Sequence, residues 1–193
     1  MSIKPNHGVF CGFDIYKGYY MLPKQQYIAS ESRIGDDTGI SDVIQEILNS
    51  LKITVPIKVY IAKDENNCFA TISNGKRIIV ADHLFLHNVN KHSKTNWGAI
   101  SILAHEVGHH IAGFANDQAS KLNSELDADY WSGYILHKLG ASKDASVKCI
   151  MRYGTEHNTS SHPNKYSRAE TIKLGWDDAL KGSYDIKRCA ECN

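Results

Sequence analysis

His105-Glu106-Val107-Gly108-His109 concentrates more possible chemistry into five residues than any other stretch of this chain. On a helix, residues four apart lie about 40° apart around the axis, so imidazoles at 105 and 109 can converge on one metal ion. Glu106 projects roughly 100° round from His105. There a carboxylate takes a proton from a water at the metal instead of ligating. Two histidine ligands and an adjacent base are what a zinc peptidase requires. The competing reading is a solvated helix that happens to carry histidines. Trp97, Ile100, Ile102, Leu103, Ala104, Val107, Ile111 and Ala112 oppose it, because a surface helix shows a polar face and this one does not. Burying two His and a Glu without a counter-charge is costly, and a metal ion removes that cost. Gly108 inside the helix predicts a close neighbour, and Gly113 predicts its end.

An open tetrahedral site needs a third protein ligand. Glu125 and Asp129 lie one helical turn apart in Ser124-Glu125-Leu126-Asp127-Ala128-Asp129, with the small Ala128 on nearly the same face. Glu125 is the expected third ligand. Asp129 is expected behind it, accepting a hydrogen bond from the far nitrogen of His105 and fixing its tautomer. Taken alone, the same residues read equally well as a solvated acidic helix face.

With these pieces in order, the chain resembles the gluzincin metallopeptidases, nearest to the group of HtpX heat-shock proteases, Oma-type proteases and CAAX prenyl endopeptidases. The resemblance rests on His105-Glu106-x-x-His109, Glu125-x-x-Ala128-Asp129, and Ser161-His162-Pro163 with Arg168. Asn67-Cys68-Phe69-Ala70, followed by Gly75 and Ile78-Ile79-Val80, is similar to that group's Asn-Ala-Phe-Ala hairpin. It covers roughly residues 38–177 and implies a zinc-dependent peptidase. Two features depart from the group. Only Ala112 to Ser124 separates the metal helix from the Glu block, where relatives carry membrane helices or a large insertion, and Cys68 stands where Ala is usual.

The resemblance also implies roles that spacing alone does not. His162 would donate a hydrogen bond to the oxyanion of the reaction, with Arg168 behind the metal site orienting its loop. Tyr153 and Tyr166 are lesser candidates for that donor. Asn67, Phe69, Ala70 and Thr71 would lie along an extended peptide or protein substrate, paired strand to strand. Read without the family, a His before Pro163 is simply an extended loop residue.

Composition narrows the partners. The 193 residues carry 22 basic and 21 acidic side chains, a formal net charge of +1. No nucleic-acid or anionic-membrane partner is implied. No integral membrane segment or signal peptide is visible, so a cytoplasmic location is expected, with non-classical export as the alternative address. Five cysteines do not suggest a disulfide framework. Cys189-Ala190-Glu191-Cys192 is an isolated CxxC, read as an ordinary tail rather than half a zinc knuckle completed by Cys11.

These residues need elements to hold them. Thr38–Leu51 reads as a helix with Val43, Ile44, Ile47, Leu48 and Leu51 on one face, and Ile57–Ala62 as a strand. Cys68–Ser73 and Arg77–Ala81 form a hairpin about Asn74-Gly75. Helices follow at the metal motif, at the Glu block, near 142–153 and over 165–181. The expectation is therefore an α+β, zincin-like domain at 36–182, a small mixed sheet with a central HExxH helix and a helical C-terminal half. Residues 1–35 form an extension or cleft cover, and 183–193 a tail. One Zn²⁺ per chain would sit on His105, His109 and Glu125, with Glu106 and His162 catalytic. A zinc-bearing binding or regulatory protein without turnover, and a toxin-like effector protease, are the alternatives.

Overall fold

Residues 39–63, 65–113 and 118–182 are described by a computed structural model. The expected roles of 1–35, Cys11 and the Cys189/Cys192 tail lie outside them. The first helix, α1 (Ile40–Leu51), buries Ile40, Ile44, Ile47 and Leu48 at 3.6-residue spacing. It stops at Lys52, in the left-handed conformation, whose N–H returns to Asn49 and Leu48 carbonyls.

Three strands follow: β1 (Ile57–Ala62), β2 (Cys68–Ser73) and β3 (Lys76–Asp82), in the spatial order β1-β3-β2. β1 runs parallel to β3, and β2 antiparallel to it. Asn74 and Gly75 both have positive φ, 51° and 73°, the turn that matches the twist of a tight hairpin. Ser73 and Lys76 flank that turn, so Phe69, Thr71 and Ser73 spend their backbone groups on β3. Cys68, Ala70 and Ile72 turn theirs outward, along the outer edge of the sheet among the described residues.

The sheet divides two apolar layers. Val59, Cys68, Ala70, Ile79 and Ala81 face the helices and join the main core. Tyr60, Phe69 and Val80 pack together on the opposite face. Burial, with Glu106 and Asp82 nearby, pushes the Cys68 thiol well up, so this cysteine is an inert apolar filler.

A helix unforeseen in the sequence, α2 (His83–Ser93), leaves β3 directly. Asp82 makes that junction. Its Oδ1 caps the helix by accepting from Leu84 and Phe85 N–H at 2.9 and 3.2 Å, and Oδ2 accepts from Glu65 and Asn66 N–H at 2.9 and 3.0 Å. One buried carboxylate thus fixes both the start of α2 and the approach to β2.

The central helix, α3 (Trp97–Ala112), carries the HExxH motif and is buried from Ser101 through His110. It ends at Gly113, as its sequence implies. α4 (Gln118–Lys138) crosses it, then α5 (Lys143–Tyr153) and α6 (Lys165–Lys181) complete the helical C-terminal half. Ser142 and Asn164 cap the last two helices through their side-chain oxygens. The arrangement is zincin-like, a mixed sheet against a central HExxH helix with a second helix crossing it.

Glycines set how closely these helices meet. A Cβ at Gly108 would lie 2.7 Å from the Ala128 carbonyl oxygen and 3.0 Å from Ala128 Cα. The α4–α6 crossing is tighter still. A Cβ at Gly133 would run into the Ile172 carbonyl, and one at Gly175 into the Tyr130 carbonyl. Backbone meets backbone at both points.

Candidate metal centre

α3 presents His105 and His109 to α4, and the close contact of Gly108 with Ala128 brings Glu125 between them. His105 Nε2 and His109 Nε2 lie 3.1 Å apart. Glu125 Oε2 is 3.5 Å from the first and Glu125 Oε1 3.5 Å from the second. All three side chains are buried. Ligands about 2.0–2.1 Å from a tetrahedral zinc stand about 3.3–3.4 Å from one another. The observed separations bracket that edge length, and among the described residues these three form the one His/Cys/Asp/Glu group able to hold a metal ion. Two nitrogens and a carboxylate oxygen are also the donor types that zinc accepts. Residues and spacing fit the ion.

The next ring of contacts orients these donors. His105 Nδ1 lies 2.9 Å from Asp129 Oδ1, so the imidazole donates there and leaves its Nε2 lone pair toward the triad. Asp129 is itself gripped by Arg168, with Nε to Oδ2 at 2.7 Å and one terminal nitrogen to Oδ1 at 2.9 Å. That same nitrogen is 3.6 Å from Glu125 Oε2. Arg168, placed on α6 and 4 % exposed, therefore spends its guanidinium on Asp129 and, more distantly, Glu125. Ser124 Oγ lies 3.4 Å from His109 Nδ1.

Glu106 is fully buried beside the histidines. Its Oε2 accepts the outward N–H of Ala70 at 2.8 Å, and its Oε1 is buried with no hydrogen-bond partner among the described residues. Of the four residues expected along a substrate, Ala70 alone aims a backbone group at the site. Phe69 and Thr71 turn theirs to β3, and Asn67 Oδ1 accepts the Cys68 N–H at 2.9 Å.

His162 comes from the loop between α5 and α6, and its Nε2 lies 3.7 Å from Glu125 Oε2. The two tyrosines stand elsewhere. Tyr166 is exposed with its hydroxyl 2.9 Å from Glu156, and Tyr153 packs against the main core. The structure thus brings together His105, Glu106, His109, Glu125, Asp129, His162 and Arg168, drawn from three helices and a loop.

Burial and close charges set the protonation of the cluster. Burial drags the His105 imidazole down, but Asp129 and Glu125 outweigh it and hold the ring up at about 9. Burial, then the neighbouring His105 charge, presses His109 down to about 3. Burial lifts the Glu106 carboxyl to about 8 despite the opposing His105. Glu125 is buried too, yet His105 and Arg168 hold it well below the usual carboxylate range. Asp129 is likewise held down, by Arg168 and His105 against the cost of burial. Burial lowers His162, so its ring is neutral near pH 7.

Several contributors carry no sequence signature. The Ala70 amide is a backbone group, visible only once hairpin register is known. Ser124 and Ser161 are short hydroxyls beside louder neighbours. Asp82 could have been found as an aspartate ending an apolar strand, two residues ahead of Leu84-Phe85-Leu86. No protein-family model, curated protein or solved structure matches this chain.

Proposed function

We propose that the protein is a zinc-dependent endopeptidase of the gluzincin type, with His105, His109 and Glu125 as the zinc ligands. The observation carrying this reading is the convergence of those donors at tetrahedral spacing beside Glu106, whose buried Oε1 has no protein partner among the described residues. Zinc held there would supply Lewis-acid chemistry, polarising a scissile carbonyl and acidifying a water near neutral pH.

The chain's own groups do the rest. Glu106 accepts the proton of the attacking water and delivers it to the leaving amine nitrogen. His162 Nε2 donates to the carbonyl oxygen as negative charge develops. Asp129 and Arg168 keep His105 in the ligating tautomer. An extended peptide donates its N–H groups to the outward carbonyls of β2, with that of Ala70 nearest the chemistry, because the Ala70 and Cys68 N–H groups are taken by Glu106 and Asn67. Resemblance to the HtpX, Oma-type and CAAX endopeptidase group is consistent with this assignment. Among the described residues, no helix is long and apolar enough to cross a membrane.

Glu106→Gln preserves shape while removing the base. That variant should keep one zinc per chain and lose activity on a peptide library by several orders of magnitude. Zinc-loaded wild type that cleaves no unfolded protein or peptide would instead support a binding role. Glu125→Ala should lose zinc where the exposed neighbour Asp127→Ala retains it. Full zinc occupancy in Glu125→Ala would move the third ligand to another residue.

A further inference from the structure

The loop between α5 and α6 carries His162 to the centre, and its ends are fastened to α6. The Lys165 N–H donates to the Thr155 carbonyl at 2.8 Å. Asn158 Oδ1 accepts from the Asn164 N–H and side-chain amide at 2.8 and 2.9 Å. Between these ties, the stretch from Thr159 to Pro163 is closed by Thr159.

The Thr159 N–H donates to the His162 carbonyl at 2.8 Å. Its hydroxyl oxygen accepts from the N–H groups of Ser161 and His162 at 3.3 and 2.9 Å, and the hydroxyl hydrogen goes to the same His162 carbonyl at 3.2 Å. A hydroxyl has one donor and two acceptor positions, so this side chain spends its full capacity here. Both backbone groups of His162 therefore end on one residue. On the other side Pro163 is buried and confines His162 to extended backbone. With the backbone held from both sides, the Cα–Cβ bond of His162 has one direction. The ring follows it inward, with Nε2 buried 3.7 Å from Glu125 Oε2 and Nδ1 lying 2.8 Å from Ser161 Oγ. Thr159 itself is exposed, a position from which a side chain contributes little to the stability of a domain. Its bonds are directed at the segment that aims the imidazole.

We infer that Thr159 is a positioning residue, whose hydroxyl clamps the backbone of His162 and so fixes the place of its ring at the centre. The consequence for turnover rests on the peptidase reading above; the clamp itself is measurable without turnover. An oxyanion donor is effective only where it is already aimed when charge develops, so freedom in this loop should reach the rate and spare substrate binding.

The test uses full-length, zinc-loaded protein. One readout is the rate at which diethyl pyrocarbonate modifies His162, located by peptide mass spectrometry. Because Nε2 is shielded, wild type should react slowly. Thr159→Val keeps the side-chain shape without the hydroxyl and should raise that rate about tenfold, whereas Thr159→Ser should keep the wild-type rate. The other readout is turnover. Thr159→Val should lower kcat about tenfold with KM and zinc content held, the scale of one or two lost hydrogen bonds, and Thr159→Ser should restore it. Thr159→Ala, which removes the same hydroxyl, should repeat both effects and serves if the valine variant does not fold. Wild-type modification rates in the variants without the hydroxyl would overturn the inference. So would a kcat that falls in His162→Ala and not in Thr159→Val. Faster modification in Thr159→Val, with kcat undiminished in His162→Ala as well, would uphold the clamp and overturn the oxyanion role instead. If wild type cleaves nothing, the peptidase reading falls, and the modification rates alone uphold or overturn the clamp.

Discussion

At the scale of single residues, the centre is a set of charges that a cation and a proton can each balance. His105 is held up at about 9 by Asp129 and Glu125, so in zinc-free protein at pH 7.5 it is protonated. Zinc requires the neutral ring, so binding should release the His105 proton at that pH, with a further release from Glu106, which burial holds at about 8 without the cation. Calorimetric titration in buffers of different ionisation enthalpy measures this directly. Asp129→Asn removes much of the cause and should reduce the release; equal release in both proteins would refute the account. His110 gives a second, independent titration. It is buried next to the ligands with its Nε2 3.1 Å from the Ile78 carbonyl, and burial lowers it to about 4. Its folded value lies below its unfolded one, so the unfolded chain binds more protons between about pH 6.5 and 4. Stability should therefore fall as pH drops through that window, by about 3 kcal/mol from this residue. Urea unfolding of wild type and His110→Gln at pH 7 and 4.5 isolates the contribution, and the variant should show the shallower loss.

At the scale of elements, what could be read from the sequence followed periodicity and what could not followed contact. The face of α1, the Asn74-Gly75 hairpin and the bounds of α6 are all written in local pattern, because each depends on residues within a few positions. α2 escaped notice because Asn88, Asn90 and three histidines thin its apolar stripe to Phe85, Leu86 and Val89. Its existence depends on Asp82, whose second oxygen serves a loop 16 and 17 residues upstream. The candidate metal-binding pair was legible because helical spacing alone brings His105 and His109 together. The grip of Arg168 on Asp129 was not, because it joins residues 39 apart across two helices. The α4–α6 crossing gives the sharpest test at this scale. Gly133→Ala must push two backbones apart and should cost about 3 kcal/mol, lowering Tm by roughly 6–12 °C. Leu174→Ala, on an exposed position of the same helix pair, should stay within about 0.5 kcal/mol of wild type. A Gly133→Ala protein that melts with wild type would mean the helices are not in backbone contact.

For the molecule as a whole, the candidate metal ligands join helices that also meet by packing and by hydrogen bonds such as Ser132 Oγ to the Ser101 carbonyl. α3 supplies two donors and α4 the third, with α6 held behind them through Arg168. Zinc bound to the folded chain should therefore stabilise it by linkage, about 4 kcal/mol where free zinc exceeds Kd a thousandfold. Chelation should lower Tm by roughly 10 °C, and restored zinc should recover it. A melting temperature indifferent to zinc would mean the ion does not bind the folded site.

α4 and α6 are tied at their crossing and beside it. Gly133 meets Ile172 and Gly175 meets Tyr130 backbone to backbone, while Arg168, one turn before Ile172, reaches Asp129. The crossing thereby fixes the rotational phase of α6. One residue inserted between Arg168 and Ile172 would turn the arginine about 100° relative to the crossing. Every ligand would still be present, yet the guanidinium would swing off Asp129. The chemistry of this centre is therefore exposed to changes of chain length as well as of side chain, and α6 tolerates substitutions on its outer face far better than a single insertion.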